Sequence, residues 1–367
     1  MVDPSSNPGQ LACLANEHVL AMSPYVPGRQ MNDPDWIKLN TNELPYPPSP
    51  RVEAAIRGEM DRLVKYPDPT SESLRNRIAD HHGLKPSQVI AGNGSDDVLN
   101  LLCRVFASGG RRVGRVVPSY SLYPVLAAAQ GAAMVEVPVD EGFNFDPARV
   151  VASGANLFFL TSPNAPSGVG YPAAMIGELA GDFPGILVVD EAYANFASEN
   201  AVGLLNDHPN LVVTRTFSKA FGLAGLRVGY GLGSPVVIEL LNRVRDAYNL
   251  DRFAQAGARA ALEDYGYFEA LIGKIQRVRD FYRKEFLKLG WEVPASQANF
   301  LLVQPVDGQG RSGPEVAASL MQELERERIL VRYFPSHPLT QSSLRISIGS
   351  EAQMYRLMEV IEGWMKH

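Results

Sequence analysis

The stretch VVTRTFSKAFGLAGLRVGY, residues 212–230, places a lysine directly behind a serine at the end of an apolar run. The run has the composition of a buried strand, yet a lysine costs free energy to desolvate and usually lies at the surface. Arg227 follows Lys219 by eight residues, in a glycine-rich segment. Either Lys219 is a solvated loop residue, or its amine is needed for chemistry.

The composition is that of an ordinary globular enzyme. The chain has 367 residues, enough for one large domain or two, with 46% hydrophobic and 20% charged residues. The net charge of −6 argues against nucleic acid as the main partner, but not against a small anionic ligand held by a few arginines. Cys13 and Cys103 show no disulfide framework or metal spacing, which fits a reducing, cytoplasmic compartment. We expect no signal peptide and no membrane span.

The order of apolar runs indicates three parts. Residues 1–35 are rich in proline, asparagine and glycine and are predicted to form an N-terminal arm. In residues 36–250, short apolar runs alternate with helical stretches, which predicts a mostly parallel α/β sheet with helices on both faces. Residues 251–367 place long amphipathic helices around a few strands and are predicted to form a smaller α+β domain. The candidate strands lie in the segments QVIAGNG, VGRVVPS, ANLFFLTSPNAPSG, GILVVDEAY, NLVVTRTFSK, RVGYGLG, ANFLLVQP, ILVRYF and LRISIG.

Polar residues follow these apolar runs, and ligands of open α/β sheets bind beyond the carboxyl ends of the strands. After QVIA comes a glycine-rich turn in which Ser95 or Asp96 can cap a helix, whose free N–H groups can also hold a phosphate. After GILVV comes Asp190, a buried carboxylate that needs a cationic partner. That partner could be a structural cation or the protonated ring nitrogen of pyridoxal phosphate, since no set of metal ligands accompanies it.

Lys219 is a candidate for a Schiff-base amine, and Arg227 for a bidentate contact with a phosphate. Taken singly, each is as well explained by a solvated lysine or a surface ion pair. Together, the glycine turn, the strand-end Asp190, the strand-end Lys219 and Arg227 favour a cofactor site.

The motifs DEAY and TFSKAFGLAGLRVGY closely resemble those of the fold-type I, pyridoxal-phosphate-dependent aminotransferases of class I/II. The resemblance runs from about residue 23 to the last helix. Within that family the histidinol-phosphate branch is favoured by the segments LNTNELPYPPSP, YPDP, GNGSDD, PSYSLY, ANFLLV and LRISIG. The resemblance implies a large pyridoxal-phosphate-binding domain, a smaller C-terminal domain and a homodimer.

The resemblance also implies roles for individual residues. Lys219 would form the Schiff base with the cofactor and later move a proton, Asp190 would keep the pyridine nitrogen protonated, and Tyr193 would hydrogen-bond the ring oxygen O3′. Tyr120 would stack on the ring, and Tyr66 would reach the phosphate from the partner subunit. The other cofactor contacts implied are Ser95, Asp96, Asn164, Thr216, Ser218 and Arg227.

Substrate contacts follow from the same resemblance. Arg345 would take the anionic group of the substrate, and Arg332 is a second candidate for that anion. Tyr25 and Asn42 would line the substrate pocket.

The segment SPNAPSG, residues 162–168, departs from the family pattern. Family members have an asparagine that bonds O3′ where this chain has Ala165, whose side chain cannot hydrogen-bond. Tyr193 would remain the main partner of O3′, unless Asn164 or a water fills in. We expect the site to tolerate this loss.

The resemblance implies conversion of L-histidinol phosphate and 2-oxoglutarate to imidazole-acetol phosphate and L-glutamate. An aromatic-amino-acid aminotransferase and an amino-acid-phosphate decarboxylase are alternatives on the same fold. A regulator that keeps the fold as a sensing module is disfavoured, because the chain has no helix-turn-helix extension or basic arm and keeps Lys219.

Overall fold

The protein is described here by a computed structural model that covers residues 12, 14–31 and 33–366, so Cys13 lies outside the described residues. The centre of the fold is a seven-stranded sheet with the order β2-β8-β7-β6-β5-β3-β4. Only β8 runs antiparallel to its neighbours, which confirms the prediction of a mostly parallel sheet. The strands are β2 (Val89–Gly92), β3 (Arg112–Val117), β4 (Ala133–Pro138), β5 (Leu157–Thr161), β6 (Ile186–Asp190), β7 (Leu211–Thr216) and β8 (Gly229–Gly233).

Helices cover both faces of this sheet, as the sequence predicts. Alternate residues of β5 show this, because Leu157 and Phe159 belong to one hydrophobic cluster while Phe158 and Leu160 belong to the other. Strands buried on both faces have nearly continuous apolar sequences, as LFFLT does. The helices are α1 (Glu17–Ala21), α2 (Pro50–Arg57), α3 (Glu72–His82), α4 (Ser95–Phe106), α5 (Leu122–Ala129), α6 (Pro147–Val151), α7 (Ala173–Asp182), α8 (Pro235–Val244), α9 (Arg252–Glu263), α10 (Tyr265–Lys288), α11 (Pro314–Arg326) and α12 (Glu351–Trp364).

Two small sheets accompany the central one in the part of the chain that the structure describes. Three antiparallel strands have the order β11-β12-β9, and β1 pairs with β10 in parallel. The predicted strand ILVRYF is therefore two strands in two sheets, and β1 ties the segment after the arm to the C-terminal part of the chain. The division into domains at residues 35 and 250 stays a prediction. The strands are β1 (Ile37–Lys38), β9 (Phe300–Val303), β10 (Ile329–Leu330), β11 (Arg332–Tyr333) and β12 (Leu344–Ser347).

The register of the central sheet aligns three polar side chains. Thr161 is the partner of Asp190 across β5 and β6, and Asp190 is the partner of Thr214 across β6 and β7. Paired residues of neighbouring strands project from the same face of a sheet. The register therefore places one carboxyl between two hydroxyls near the carboxyl ends of the strands.

Candidate active site

A cavity of about 770 Å³ lies at these strand ends and extends toward the three-stranded sheet. It gathers side chains from the arm, the central sheet and the C-terminal part of the chain, and most of the predicted site residues line it. Those residues are Tyr25, Asn42, Ser95, Asp96, Tyr120, Asp190, Tyr193, Thr216, Ser218, Lys219, Arg227, Arg332 and Arg345.

Asp190 lies buried in the wall of the cavity with a hydrogen bond to each carboxylate oxygen. The Tyr123 hydroxyl donates to Oδ2 at 2.7 Å, and the Thr214 hydroxyl donates to Oδ1 at 3.2 Å. Burial raises the pKa of Asp190 to about 6, although the hydrogen bond from Tyr123 opposes that shift. Burial thus disfavours the ionised carboxylate of Asp190, and a cation bound beside it would stabilise that ionised form.

Tyr123 is a site residue that the sequence reasoning missed. Its ring is buried and stacks on Phe159 with a centroid distance of 4.6 Å, and its hydroxyl lies 2.6 Å from that of Thr161. Buried tyrosines need a partner for the hydroxyl group. The sequence does show a second tyrosine, Tyr123, at the end of the segment PSYSLY. It does not show which acceptor the hydroxyl of that tyrosine bonds.

Lys219 is half-buried and lines the cavity, so the structure does not place it on a solvated loop. Its Nζ donates to the carbonyl oxygen of Thr41 at 2.8 Å and lies 5.8 Å from the centre of the Tyr193 ring. Glu43 is close by. Burial alone would raise the pKa of Glu43, but hydrogen bonds from Lys38 and Thr41, together with the charges of Lys38 and Lys219, hold it below its usual value.

The start of α4 has the features that the predicted anion site needs. Gly94 precedes the helix with φ of 83°, and a Cβ at Gly229 would come within 2.1 Å of the Ser95 nitrogen, so only glycine lets β8 pass the helix end. The first N–H groups of a helix have no partner within the helix and attract anions. This end of the cavity is therefore built around free backbone donors.

Arg227 adds a positive charge to the helix end. It adopts a left-handed backbone conformation with φ of 52°, and its guanidinium contacts Asp96 Oδ2 at 3.2 Å and Ser218 Oγ at 3.3 Å. Thr216 Oγ1 accepts from the Ser218 N–H at 3.1 Å. Two hydroxyls, one guanidinium and a helix N-terminus suit a phosphate monoester.

Tyr120 forms an aromatic wall of the cavity. It meets Tyr25 edge to face at 6.0 Å and Tyr123 at 5.5 Å, and its hydroxyl donates to Asp96 Oδ1 at 3.3 Å. Burial raises the pKa of Tyr120, so the hydroxyl stays protonated. The arm thus reaches the cavity through Tyr25.

Two arginines line the opposite side of the cavity. Arg332 donates to the carbonyl oxygens of Pro27 and Val26 at 3.3 and 3.4 Å, and Arg345 donates to that of Asn40 at 2.9 Å. Burial lowers the pKa of Arg345, and the charge of Arg332 acts in the same direction. Neither guanidinium forms an ion pair with a carboxylate of the residues that the structure describes, and the buried Nε of Arg345 has no hydrogen-bond partner there.

Two predicted cofactor contacts lie elsewhere. Asn164 is buried, and its amide bonds the Pro118 carbonyl and the Ser167 hydroxyl, so its neighbour Ala165 lines the cavity instead. Tyr66 is 77% exposed and stacks on Tyr248 at 4.6 Å, outside this cavity. Their contacts with a cofactor stay predictions.

The described residues contain no group of three or more histidine, cysteine, aspartate or glutamate side chains placed to hold a metal ion. Among the same residues, none of the helices combines the length and the apolar character needed to cross a membrane.

Comparison with known proteins adds independent evidence. The family model "Aminotransferase class I and II" matches residues 34–361. A histidinol-phosphate aminotransferase of Syntrophotalea carbinolica is 46% identical over 349 residues, which cover 94% of this chain and 97% of the relative. One from Citrifermentans bemidjiense is 44% identical over 347 residues, with the same coverage of both chains. The crystal structure of a histidinol-phosphate aminotransferase from Sinorhizobium meliloti in complex with pyridoxal-5'-phosphate superposes with a TM-score of 0.82, at 30% identity, over 89% of this chain and 91% of that one.

Proposed function

The chain belongs to the class I and II aminotransferases, and on that premise we propose that it transfers the amino group of L-histidinol phosphate to 2-oxoglutarate. The products would be imidazole-acetol phosphate and L-glutamate, in a step of histidine biosynthesis that takes place in the cytoplasm. The observation that carries the proposal is a pair of arginines, Arg332 and Arg345, that have no carboxylate partner among the described residues and line a cavity that also holds Lys219 and Asp190.

Pyridoxal phosphate is the cofactor, and the residues of the cavity fit it. The helix end at Ser95, together with Arg227, would hold the phosphate, Asp190 the ring nitrogen and Lys219 the aldehyde carbon. A Cβ at Gly94 would come within 2.7 Å of the guanidinium of Arg227, so a side chain there would fill the anion site. When bound, pyridoxal phosphate supplies an aldehyde that accepts the amino group and a ring that withdraws electrons from the substrate carbon.

Side chains of this protein would move the proton, stabilise the charge and position the ring. The Lys219 amine, which is half-buried and lines the cavity, would move a proton at the substrate carbon. Asp190 would stabilise positive charge at the ring nitrogen, and Tyr120 would pack against the ring. Tyr193 would donate its hydroxyl hydrogen to the ring oxygen.

Two arginines suit a reaction with two different anionic substrates. The donor carries a phosphate monoester and the acceptor carries carboxylates, and in a ping-pong reaction both occupy one site in turn. Guanidinium groups bind both kinds of anion in bidentate geometry. Because Arg332 and Arg345 have no carboxylate partner among the described residues, both are available for the substrate.

The proposal includes a homodimer in which Tyr66 contributes to the site of the partner subunit. Tyr66 lies on an exposed surface with three further large apolar side chains, Met60, Leu63 and Val64. Contiguous exposed apolar surface marks interaction sites. A second copy of the chain that covers this surface would bury Tyr66.

The test is a half-reaction screen on the purified protein with bound cofactor. L-histidinol phosphate is expected to bleach the visible absorption band of the cofactor, whereas L-phenylalanine and O-phosphothreonine are not. Equal bleaching by phenylalanine would contradict the proposed donor and favour an aromatic-amino-acid aminotransferase. Release of carbon dioxide from phosphothreonine, without a keto acid, would indicate a decarboxylase.

A further inference from the structure

Three consecutive residues of the segment after the arm each hold one side chain of the active site. The backbone carbonyls of residues 40 and 41 accept hydrogen bonds from Arg345 and Lys219, at 2.9 and 2.8 Å. The next residue, Asn42, donates from its side-chain Nδ2 to the hydroxyl oxygen of Tyr193 at 3.0 Å. Asn42 therefore contacts Tyr193 directly, which differs from a general role in lining the pocket.

The conformation of Asn42 is fixed from several sides. It is only 1% exposed and adopts a left-handed backbone conformation with φ of 59°, which asparagine tolerates better than most residues other than glycine. Its N–H donates to Ser347 Oγ at 2.9 Å, and its carbonyl accepts from Asn299 Nδ2 at 3.0 Å. These bonds leave its side chain little freedom.

The hydrogen bonds around Asn42 set the direction of the hydroxyl of Tyr193. Ser347 Oγ accepts from the backbone of Asn42, so its single hydrogen is free to donate to Asn42 Oδ1, which lies 2.8 Å away. The other end of the amide is then the NH₂ group, which donates to the Tyr193 oxygen. Among the described residues the hydroxyl hydrogen of Tyr193 has no acceptor, and Tyr193 lines the cavity, so a molecule bound there can accept this hydrogen.

The asparagine that bonds the ring oxygen in the family pattern is replaced by Ala165 in this chain. Ala165 lines the cavity and is 6% exposed, and its side chain has no hydrogen-bonding atom. Tyr193 must then supply the donor to the ring oxygen of the cofactor without help from position 165. The orientation of the Tyr193 hydroxyl therefore matters more in this chain than in family members, where an asparagine also donates to the ring oxygen.

We propose that Asn42 is a positioning residue that fixes the O–H bond of Tyr193 toward the cofactor and so compensates for Ala165. This inference rests on the proposed function only in assuming pyridoxal phosphate, and it is independent of which amino donor is used.

The test is a pH titration of the visible absorption band of the protein with bound cofactor, without substrate. A donor to the ring oxygen weakens the hold of that oxygen on the proton it shares with the Lys219 nitrogen. In Asn42→Asp the new carboxylate takes the hydroxyl hydrogen of Tyr193, so the apparent pKa of the band is expected to rise by about one unit. Ser347→Ala, which frees the amide to rotate, is expected to shift it in the same direction by less.

A double variant separates positioning from general disturbance. Tyr193→Phe alone is expected to raise the pKa of the band, and Asn42→Asp added to it should raise it by less than Asn42→Asp does alone, because the part that acts through the hydroxyl is gone and only the charge of the new carboxylate remains. Ala165→Asn in the Asn42→Asp background is expected to lower the pKa again by restoring a donor. Asn210→Asp disturbs an amide that bonds three carbonyls away from the cavity and serves as the control for lost stability.

The proposal is overturned if Asn42→Asp and Ser347→Ala titrate like the unchanged protein, or if the shifts of Asn42→Asp and Tyr193→Phe add in full. Loss of the visible band in every variant and in the unchanged protein would instead count against the cofactor assignment. A wrong amino donor leaves the titration unaffected, because no substrate is present.

Discussion

Arg332 and Arg345 are directly opposite each other on the neighbouring antiparallel strands β11 and β12. Like charges in this position repel and destabilise a sheet by a few tenths of a kcal/mol to about 1 kcal/mol. Aromatic faces partly offset the repulsion, since both guanidinium groups lie over the Phe334 ring, at 5.5 and 5.2 Å. An anionic substrate bound between Arg332 and Arg345 would therefore reduce the repulsion between their positive charges.

Arg332→Gln is expected to weaken binding of L-histidinol phosphate by roughly tenfold or more, because a hydrogen bond to a charged group contributes about 1.5–3 kcal/mol. The free energy of unfolding without substrate should stay equal or rise slightly, since the repulsion is removed. Titration of the cofactor band with substrate and urea unfolding measure the two effects. Arg243→Gln, which breaks an exposed ion pair with Glu239 on α8, is the control and should leave binding unchanged. A fall in stability with unchanged binding would show that Arg332 has only a structural role.

Asp190→Asn tests the buried carboxyl through the pH dependence of stability. The pKa of Asp190 is about 6 in the folded chain, above its usual value of 3.8, so the folded state binds more protons than the unfolded state between these values. The carboxyl group therefore makes the apoprotein less stable as the pH rises from about 4 to about 6, by at most about 3 kcal/mol. Asparagine does not titrate, so the stability of the unchanged apoprotein relative to Asp190→Asn should fall across that window. Urea unfolding at pH 4 and pH 7 measures it, and an equal difference at both values would mean that Asp190 is not desolvated.

Reduction with borohydride tests the covalent role of Lys219. The treated protein should carry the cofactor on the peptide that contains residue 219, because among the described residues Lys219 is the lysine whose amine lines the cavity. Lys219→Ala should lose the label, while Lys284→Arg, on α10, should keep it. Mass spectrometry of the digest identifies the labelled side chain, and a label on another lysine would refute the assignment.

Mixing two inactive variants tests the proposed shared site. Tyr66→Ala and Lys219→Ala homodimers should each be defective, but a hybrid dimer would contain one site with both residues intact. Unfolding and refolding an equal mixture should therefore recover activity at up to about one quarter of the sites. Recovery is measured against each variant refolded alone. If no activity returns although hybrids form, Tyr66 does not act across the interface.

The sequence predicted the residues that stand at the ends of buried strands. Asp190 and Lys219 follow apolar runs, and the carboxyl ends of parallel strands meet at one edge, so their shared location could be inferred without coordinates. Strand β4 was not recognised, because most of its residues are exposed or only partly buried and AMVEVP lacks a continuous apolar run. The strand ILVRYF was wrongly taken as one element, since a switch between sheets at Val331 leaves no mark in an apolar sequence.

By itself, then, the sequence determined the fold class and the order of the strands' polar ends, and it predicted a lysine, an aspartate and an arginine for the cofactor site, because periodicity and strand-end chemistry are local properties of the chain. Only the tertiary structure decided which partners these groups have. Tyr123 meets Asp190 across 67 residues, and Asn42 meets Ser347 across 305. Such bonds depend on how distant segments pack, and a hydroxyl or amide looks the same in the sequence whichever acceptor it finally meets.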